Sequence, residues 1–317
     1  MISVSLIITH FNQLSYLKEL LKYVAEHNAF SCKEVIVIDD NSLEDDQVSE
    51  IQKVYPSYIF IRNEKNLGPS YSRNLGVRIS NCKYLQFLDA DDWITPDKIE
   101  LQYKYAEEND SPSFICSDWA RSHYNSTFEY PVIVSEHIPI LNEPKILSIM
   151  AHFIPLMAGL IKKESFNSVE GFDEQMRWIE DVNLLIRICN INDSIIYKSF
   201  QKNLFFYRIG NINSLSNSNT LEFNKAVLKN YKLCFEFLSK TYTKKELNAY
   251  RFKTFEVLWH IYLNASAFNH NNQLLNDVIE LIKTIPFHLA YLRHGKKFIL
   301  AKIIGYKTAS LLIRKWN

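Results

Sequence analysis

Over its first 120 residues the chain alternates short β-rich apolar runs with stretches of helical spacing, and few architectures accept that alternation. The runs fall at 3–9, 34–39, 59–62, 84–89 and 113–117. Between them lie 16–27, 43–53, 70–80 and 96–108, the last expected to begin with Thr95 as N-cap and Pro96 in its first turn. Parallel strands need crossover connections, so the order predicts an α/β fold: a mostly parallel, doubly wound sheet flanked by helices. Such sheets bind ligands beyond the carboxyl ends of their strands. Thr9-His10-Phe11-Asn12 follows the first run, Asp39-Asp40-Asn41-Ser42 the second and Asp89-Ala90-Asp91-Asp92 the fourth. Three polar clusters are therefore expected along one edge.

With 317 residues, 47% of them hydrophobic, the chain can bury a full core. Residues 120–215 are mixed, with apolar runs at 130–134 and 154–161, a helix over about 180–192 and strands near Ile195 and Phe205. From about residue 219 the pattern is helical, with a break at Pro286. The Asn/Ser-rich stretch 211–219 suggests a boundary near 216, dividing the chain into an α/β domain, 1–215, and a C-terminal helical region, 216–317. The helical region is also a candidate surface for homodimer formation, since amphipathic helices bury apolar faces equally well against a second chain.

The five cysteines are scattered, odd in number and without a CxxC pair, which speaks against a disulfide framework or zinc cluster and favours a reducing cytoplasm. The first apolar run, 2–8, lacks a basic leader and is too short for a signal peptide or a membrane span, so a cytoplasmic location is expected. All 35 acidic side chains precede residue 286, whereas seven of the 36 basic ones follow it. This tail, with Arg293, Lys296, Lys297, Lys302, Lys307, Arg314 and Lys315 among apolar residues, has two readings. It rests peripherally on an anionic inner-leaflet surface, or it packs on the domain with its lysines solvated. No nucleic-acid-binding signature accompanies it.

Asp89, Asp91 and Asp92 crowd the end of one strand and repel unless a cation or proton intervenes. Carboxylates without His or Cys partners suit Mg2+ or Mn2+, which also bridge diphosphate oxygens; the alternative is that Asp91 and Asp92 cap the next helix. Phe11 offers a face for a base, and Asp40 an acceptor for the imide N–H of a uracil. Core packing and turn chemistry are the competing explanations. Arg73, after the turn Asn66-Leu67-Gly68-Pro69, places a fork of donors toward the same strand ends, suited to phosphate or base oxygens. Its alternative is a surface ion pair, the role expected of Arg78. Trp178 is either a sugar-stacking ring or a core residue, and Asp181 alone reads as a favourable charge at a helix N-terminus.

Residues 4–12, Asp39-Asp40-Asn41-Ser42, Asn66-Leu67-Gly68 with Arg73-Asn74, Phe87-Leu88-Asp89-Ala90-Asp91-Asp92, Gly171-Phe172-Asp173-Glu174 and Glu180-Asp181 together resemble the family 2 glycosyltransferases of GT-A fold, over about residues 1–215. The resemblance implies inverting transfer of a hexosyl or N-acetylhexosaminyl group from a nucleotide-diphosphate donor, usually a UDP-sugar, to a hydroxyl of a glycan or lipid-linked glycan, as in bacterial surface polysaccharide synthesis. It places Thr9, Phe11, Asp40 and Arg73 at the base, with Asn12 in the same nucleotide site, and Asp89 at the ribose. It assigns Asp91, with Asp92, to a Mn2+ or Mg2+ ion under the diphosphate, and Asp181 as catalytic base. His152, Trp178 and Glu180 fall where the donor-sugar or acceptor pocket is expected.

Two departures stand out: Phe11 replaces a common Tyr, and Gly210 in Tyr207-Arg208-Ile209-Gly210 stands where the family often has His, removing a metal or phosphate contact. One rival is a sugar nucleotidyltransferase, which normally needs a Gly-rich loop after the first strand, and residues 9–13 contain no Gly. The other is a degenerate transferase that binds nucleotide or glycan without turnover. The retained acids Asp89, Asp91, Asp92 and Asp181 argue against it.

Overall fold

A computed structural model describes residues 2–27, 31–43, 45–126, 131–142, 145–192, 194–210, 221–243 and 276–280. The basic tail from residue 286, and the stretch 211–220 that carries the expected boundary, lie outside the described residues. The chain divides into two compact units, Met1–Asn217 and Ser218–Asn317. In the second, the long described element is a helix, Leu221–Thr241.

The first unit is built on a seven-stranded sheet. Its centre is β1 (Val4–His10), every residue of which is buried. Burial on both faces is why this strand reads as a continuous apolar run and not as an alternation. β1 pairs in parallel with β2 (Glu34–Asp39) on one side and β4 (Tyr84–Asp89) on the other, and β3 (Ile59–Arg62) extends the sheet beyond β2. The chain thus winds outward through β2 and β3, then returns to the far side of β1, which creates a crevice at the carboxyl ends of β1 and β4. Beyond β4 come β9 (Gly159–Lys162), β6 (Phe114–Cys116) and β10 (Ile195–Tyr197); β9 runs antiparallel to both of its neighbours.

A second, four-stranded sheet has the order β5 (Trp93–Ile94), β11 (Phe205–Ile209), β7 (Trp119–His123), β8 (Ile133–His137). Its strands are two to five residues long and come from distant parts of the chain, so local periodicity does not announce the sheet.

The helices follow the expected spacing. α1 (Leu14–Glu26) buries Leu14, Leu17, Leu20, Leu21 and Val24, a single stripe at three- and four-residue intervals. α2 (Asp45–Val54) follows β2, and α3 (Pro69–Ile79) starts with its proline in the first turn. α3 lies so close to β1 that a Cβ on Gly76 would come within 2.5 Å of the Ile7 side chain. α4 (Lys98–Glu108) begins two residues later than expected, with Asp97 at the N-cap position; Thr95 instead accepts the Lys98 N–H at its carbonyl. The Lys98 side chain is wholly buried, where its ammonium meets Gln86, Gln102 (2.7 Å) and the Gly159 carbonyl (3.3 Å). Burial drives this amine well below the ordinary lysine range. α5 (Lys145–Ala151), α6 (Lys163–Ser168) and α7 (Glu180–Ile191) complete the unit.

Gly159 tests the packing at the strand that reverses direction. A Cβ there would sit 2.0 Å from the Phe114 ring and 2.8 Å from the Ile115 carbonyl. Gly159→Ala is expected to cost about 2–3 kcal/mol, read as a lowered urea midpoint with unchanged slope. A wild-type midpoint would mean that β9 moves freely.

Candidate active site

The crevice between β1 and β4 is organised around one buried cation. Arg73, on α3, is 4% exposed. One terminal nitrogen donates to both oxygens of Asp89, at 2.9 and 3.1 Å, and the other to Glu180 at 2.7 Å. Burial alone would depress the guanidinium, but the two carboxylates outweigh it and raise its pKa. Asp89 also accepts a 2.8 Å hydrogen bond from Thr9, its register partner on β1. Thr9, Arg73, Asp89 and Glu180 therefore come together as a bonded set.

Arg73 is aimed by the turn before α3. The Asp40 carboxylate accepts the backbone N–H groups of Leu67 and Gly68, each at 2.8 Å, and the Asn63 amide at 2.7 Å. Gly68 carries φ +88°, which suits glycine. At 4% exposure and with both oxygens engaged, Asp40 holds the entry to α3; a base reaching it would share an oxygen already in use. Arg73, likewise, is expected from sequence to meet base or phosphate oxygens, but its terminal nitrogens are spent on Asp89 and Glu180. Both residues therefore meet protein partners in this structure, because burial obliges a charged group to find them.

α3 also grips the loop before α7. Asn74 accepts the Phe172 N–H (2.9 Å), donates to the Phe172 carbonyl (3.0 Å) and reaches Glu174 (2.9 Å). Ser70 donates to the Met176 carbonyl at 3.0 Å. Gly171, at φ +72°, passes so near that a Cβ would lie 2.6 Å from the Asn74 amide oxygen. The Gly171-Phe172-Asp173-Glu174 motif is thus a docking loop for α3, and Arg78 forms the exposed ion pair with Glu174 (3.8 Å). The loop delivers Glu180 and Asp181 to the first turn of α7 through Ile179, whose backbone is left-handed at φ 47°. Burial, with the adjacent Glu180, pushes the Asp181 carboxyl up to about 7.

Beyond Asp89 the two remaining acids separate. Asp91 is half-buried and accepts from the Gln13 amide at 3.0 Å; burial and the charge on Asp89 push it up to about 6. Asp92 is 2% exposed and takes the backbone N–H of Arg208 at 2.8 Å, tying the loop to β11. Its carboxyl lies well above the usual range because of burial and the charges of Asp91 and Asp89. The expected pair of metal ligands thus becomes Asp91 facing the crevice and Asp92 built into the protein. Asp91 fits a divalent cation, since a cation there would relieve the repulsion from Asp89 that, after burial, raises its carboxyl. Among the described residues no group of three His, Cys, Asp or Glu side chains could hold a metal by itself.

Phe11 is 43% exposed at the mouth, which excludes ordinary core packing. Asn12 bridges the loops after β1 and β2, its N–H donating to Ser42 Oγ and its amide oxygen accepting the Leu43 N–H, both at 2.9 Å. Trp178 is half-buried two residues before Glu180, and His152 is exposed after α5. At Gly210 the backbone has φ +95° and an added Cβ would meet the Tyr124 ring at 3.0 Å, so a histidine there would be strained. The roles of Gln13, Asn63 and Asn74 escape sequence reading, because single amides adjoining a motif carry no spacing signal. Replacing Arg73 with Met leaves the partly buried Asp89 and Glu180 without their cation; it should cost about 2–3 kcal/mol in urea unfolding, with Arg73→Lys intermediate. Equal stability of all three proteins would remove Arg73 as the organising charge.

Comparison with known proteins agrees with this architecture. The Glycosyl transferase family 2 model matches residues 5–167, just over half the chain. An uncharacterized glycosyltransferase of Haemophilus influenzae is 31% identical over 204 residues, covering 62% of this chain and 68% of that protein. A Rickettsia felis glycosyltransferase, also 31% identical, is matched over 38% of its own length. The poly(ribitol-phosphate) beta-N-acetylglucosaminyltransferase TarP of Staphylococcus aureus is 33% identical over 115 residues, 35% of each chain. Among solved structures, S. aureus TarS 1-349 in complex with UDP-GlcNAc superposes with a TM-score of 0.69 over 99% of this chain and 92% of that one, at 16% identity, a likeness of fold. With the crevice, the acidic set and the matched family model in agreement, the chain belongs to glycosyltransferase family 2 and has its GT-A fold.

Proposed function

We propose that the protein transfers a sugar, of hexosyl or N-acetylhexosaminyl type, from a UDP-linked donor to a glycan hydroxyl with inversion. The observation that carries this reading is the Asp181 carboxyl, raised to about 7 on a helix turn whose neighbouring residue, Glu180, is bridged by Arg73 to Asp89. A base poised near neutrality can take the proton of an acceptor hydroxyl as the hydroxyl attacks the anomeric carbon. Phe11 offers its open face to the base, and the half-exposed edge of Asp89 faces the ribose. Asp91 would hold Mn2+ or Mg2+, which when bound neutralises the departing diphosphate. UDP and UDP-GlcNAc occupy complexes of the fold relative TarS, and TarP and the minor teichoic acid biosynthesis protein GgaB of Bacillus subtilis are sequence relatives; both facts support a UDP-sugar donor and a bacterial surface polymer as acceptor. No helix among the described residues is long and apolar enough to cross a membrane.

Calorimetric titration with UDP tests the donor assignment: tight binding that requires Mn2+ is expected, and its absence with and without metal would defeat the reading. Asp181 must be ionised to act, so kcat/KM should fall with unit slope as pH drops below about 7. Asp181→Asn should abolish transfer while sparing UDP binding; full activity would remove the base assignment.

The same group makes a stability prediction. Its folded pKa lies above the unfolded value of 3.8, so the folded protein binds the extra proton between about 4 and 7 and loses stability as pH rises through that window. Asp181→Asn should therefore raise Tm by a few degrees at about pH 8 and do little near pH 4. A Tm increase of the same size at both pH values would contradict this.

A further inference from the structure

The second sheet carries a cation that meets no counter-charge among the described residues. Arg121, on β7, is half-buried, and its Nε is enclosed without a hydrogen-bond partner. The other buried or half-buried arginines among the described residues each meet an oxygen: Arg62 meets Asp39, Arg73 meets Asp89 and Glu180, Arg187 meets the Val169 carbonyl, and Arg208 meets Glu19. Arg121 shows neither a hydrogen bond nor an ion pair among the described residues. The nearby acids are engaged elsewhere, Asp118 by Tyr197 and Ser199 and Glu136 by Asn203.

Its surroundings form a built surface. Strand alternation places Arg121 on one face with Trp119 of its own strand, Tyr207 of β11 and Ser135 and His137 of β8, since Arg121 pairs in register with Tyr207 and Ser135. Trp119 stacks on His137 (centroids 4.2 Å apart, planes at 15°), Phe153 stands edge-on to Trp119 at 5.6 Å, and the Arg121 guanidinium lies 5.8 Å over the Trp119 ring. The Trp119 indole N–H, in a side chain 1% exposed, is a second buried donor with no partner. Burial and the charge of Arg121 lower the His137 pKa, so at neutral pH that ring contributes no charge. Tyr207 immediately precedes Arg208, whose N–H holds Asp92, so the strand that carries Tyr207 also touches the acidic loop.

Building on the glycosyl-transfer reading above, we propose that Arg121 and the aromatic face around it form an acceptor subsite that binds a phosphate group carried by the acceptor. A neutral sugar gives a half-buried guanidinium nothing to compensate it, whereas a tetrahedral phosphate presents several oxygens to its planar fork. Phe153, 43% exposed, and the half-buried Tyr207 supply apolar area for the carbon faces of a polyol or sugar beside the phosphate, with the buried Trp119 as their support. The donor diphosphate is expected at Asp91, on the other sheet's crevice, so the two anions occupy separate places.

The test is titration of the full chain, saturated with UDP and Mn2+, with a synthetic glycerol-phosphate trimer and with neutral triglycerol. The wild type should bind the phosphate trimer at least about tenfold more tightly than triglycerol. Arg121→Gln should weaken trimer binding about tenfold to a hundredfold and leave UDP affinity unchanged; Arg121→Lys should recover part of the loss. Equal binding of the two probes by the wild type would overturn the proposal, as would undiminished trimer binding in Arg121→Gln. A parallel loss of UDP binding in that variant would assign the cation to the donor diphosphate and would also overturn it. Wild-type protein that fails to bind UDP at all defeats the transferase reading itself, a separate and recognisable result.

Discussion

A guanidinium held between two carboxylates ties the site together. Arg73 joins α3 to Asp89 at the end of β4 and to Glu180 in the first turn of α7, residues 16 and 107 positions away in sequence. Removing three charges from water is expensive, and their mutual attraction offsets it only when the geometry is good and other groups satisfy the remaining lone pairs. Thr9 completes Asp89, while Asn74 and Ser70 bind the Phe172–Met176 loop so that Glu180 arrives where Arg73 needs it. The gain lies in fixed placement more than in net stability. Asp89 and Glu180 are both positioned by this bridge.

Neutralisation around Arg73 is local, and what it leaves uncompensated is informative. Asp91 and Asp181 are both raised, the first by burial and Asp89, the second by burial and Glu180. A fold optimised for stability alone would not bury acids beside other acids. Here the repulsion is retained where a cation and an acceptor proton would relieve it, as expected when a site's chemistry competes with its packing. Asp92, raised likewise by burial and by the charges of Asp91 and Asp89, accepts the Arg208 N–H and joins the acidic loop to the second sheet.

That second sheet gives the molecule a surface of different character. Arg208 lies inward, over Tyr16 (4.6 Å) and Trp93 (5.0 Å), whereas Tyr207 and Arg121 occupy the opposite face. One face thus braces the acidic loop, and the other presents aromatic rings and an unpaired cation. Gly210 ends β11 in a left-handed turn against Tyr124, which accounts for glycine at a place where the family often has histidine.

The sequence by itself determined the α/β class, the central parallel strands and the three polar clusters at their carboxyl ends. These follow from local rules: apolar runs buried on both faces, helical stripes, and ligand binding beyond strand ends. Arg78 as a surface ion pair was legible too, whereas for Phe11 core packing stayed open until its exposure was known. Tertiary structure decided the rest. Whether Arg73, Asp40, Asp92 and Glu180 face a ligand or each other depends on partners up to 116 residues away, which spacing along the chain cannot encode. The second sheet, assembled from strands of two to five residues, has no periodicity of its own, so Arg121 becomes notable only once its described neighbours are known to offer it no anion. Residue type set which chemistry was available, and burial decided which carboxylates were left to perform it.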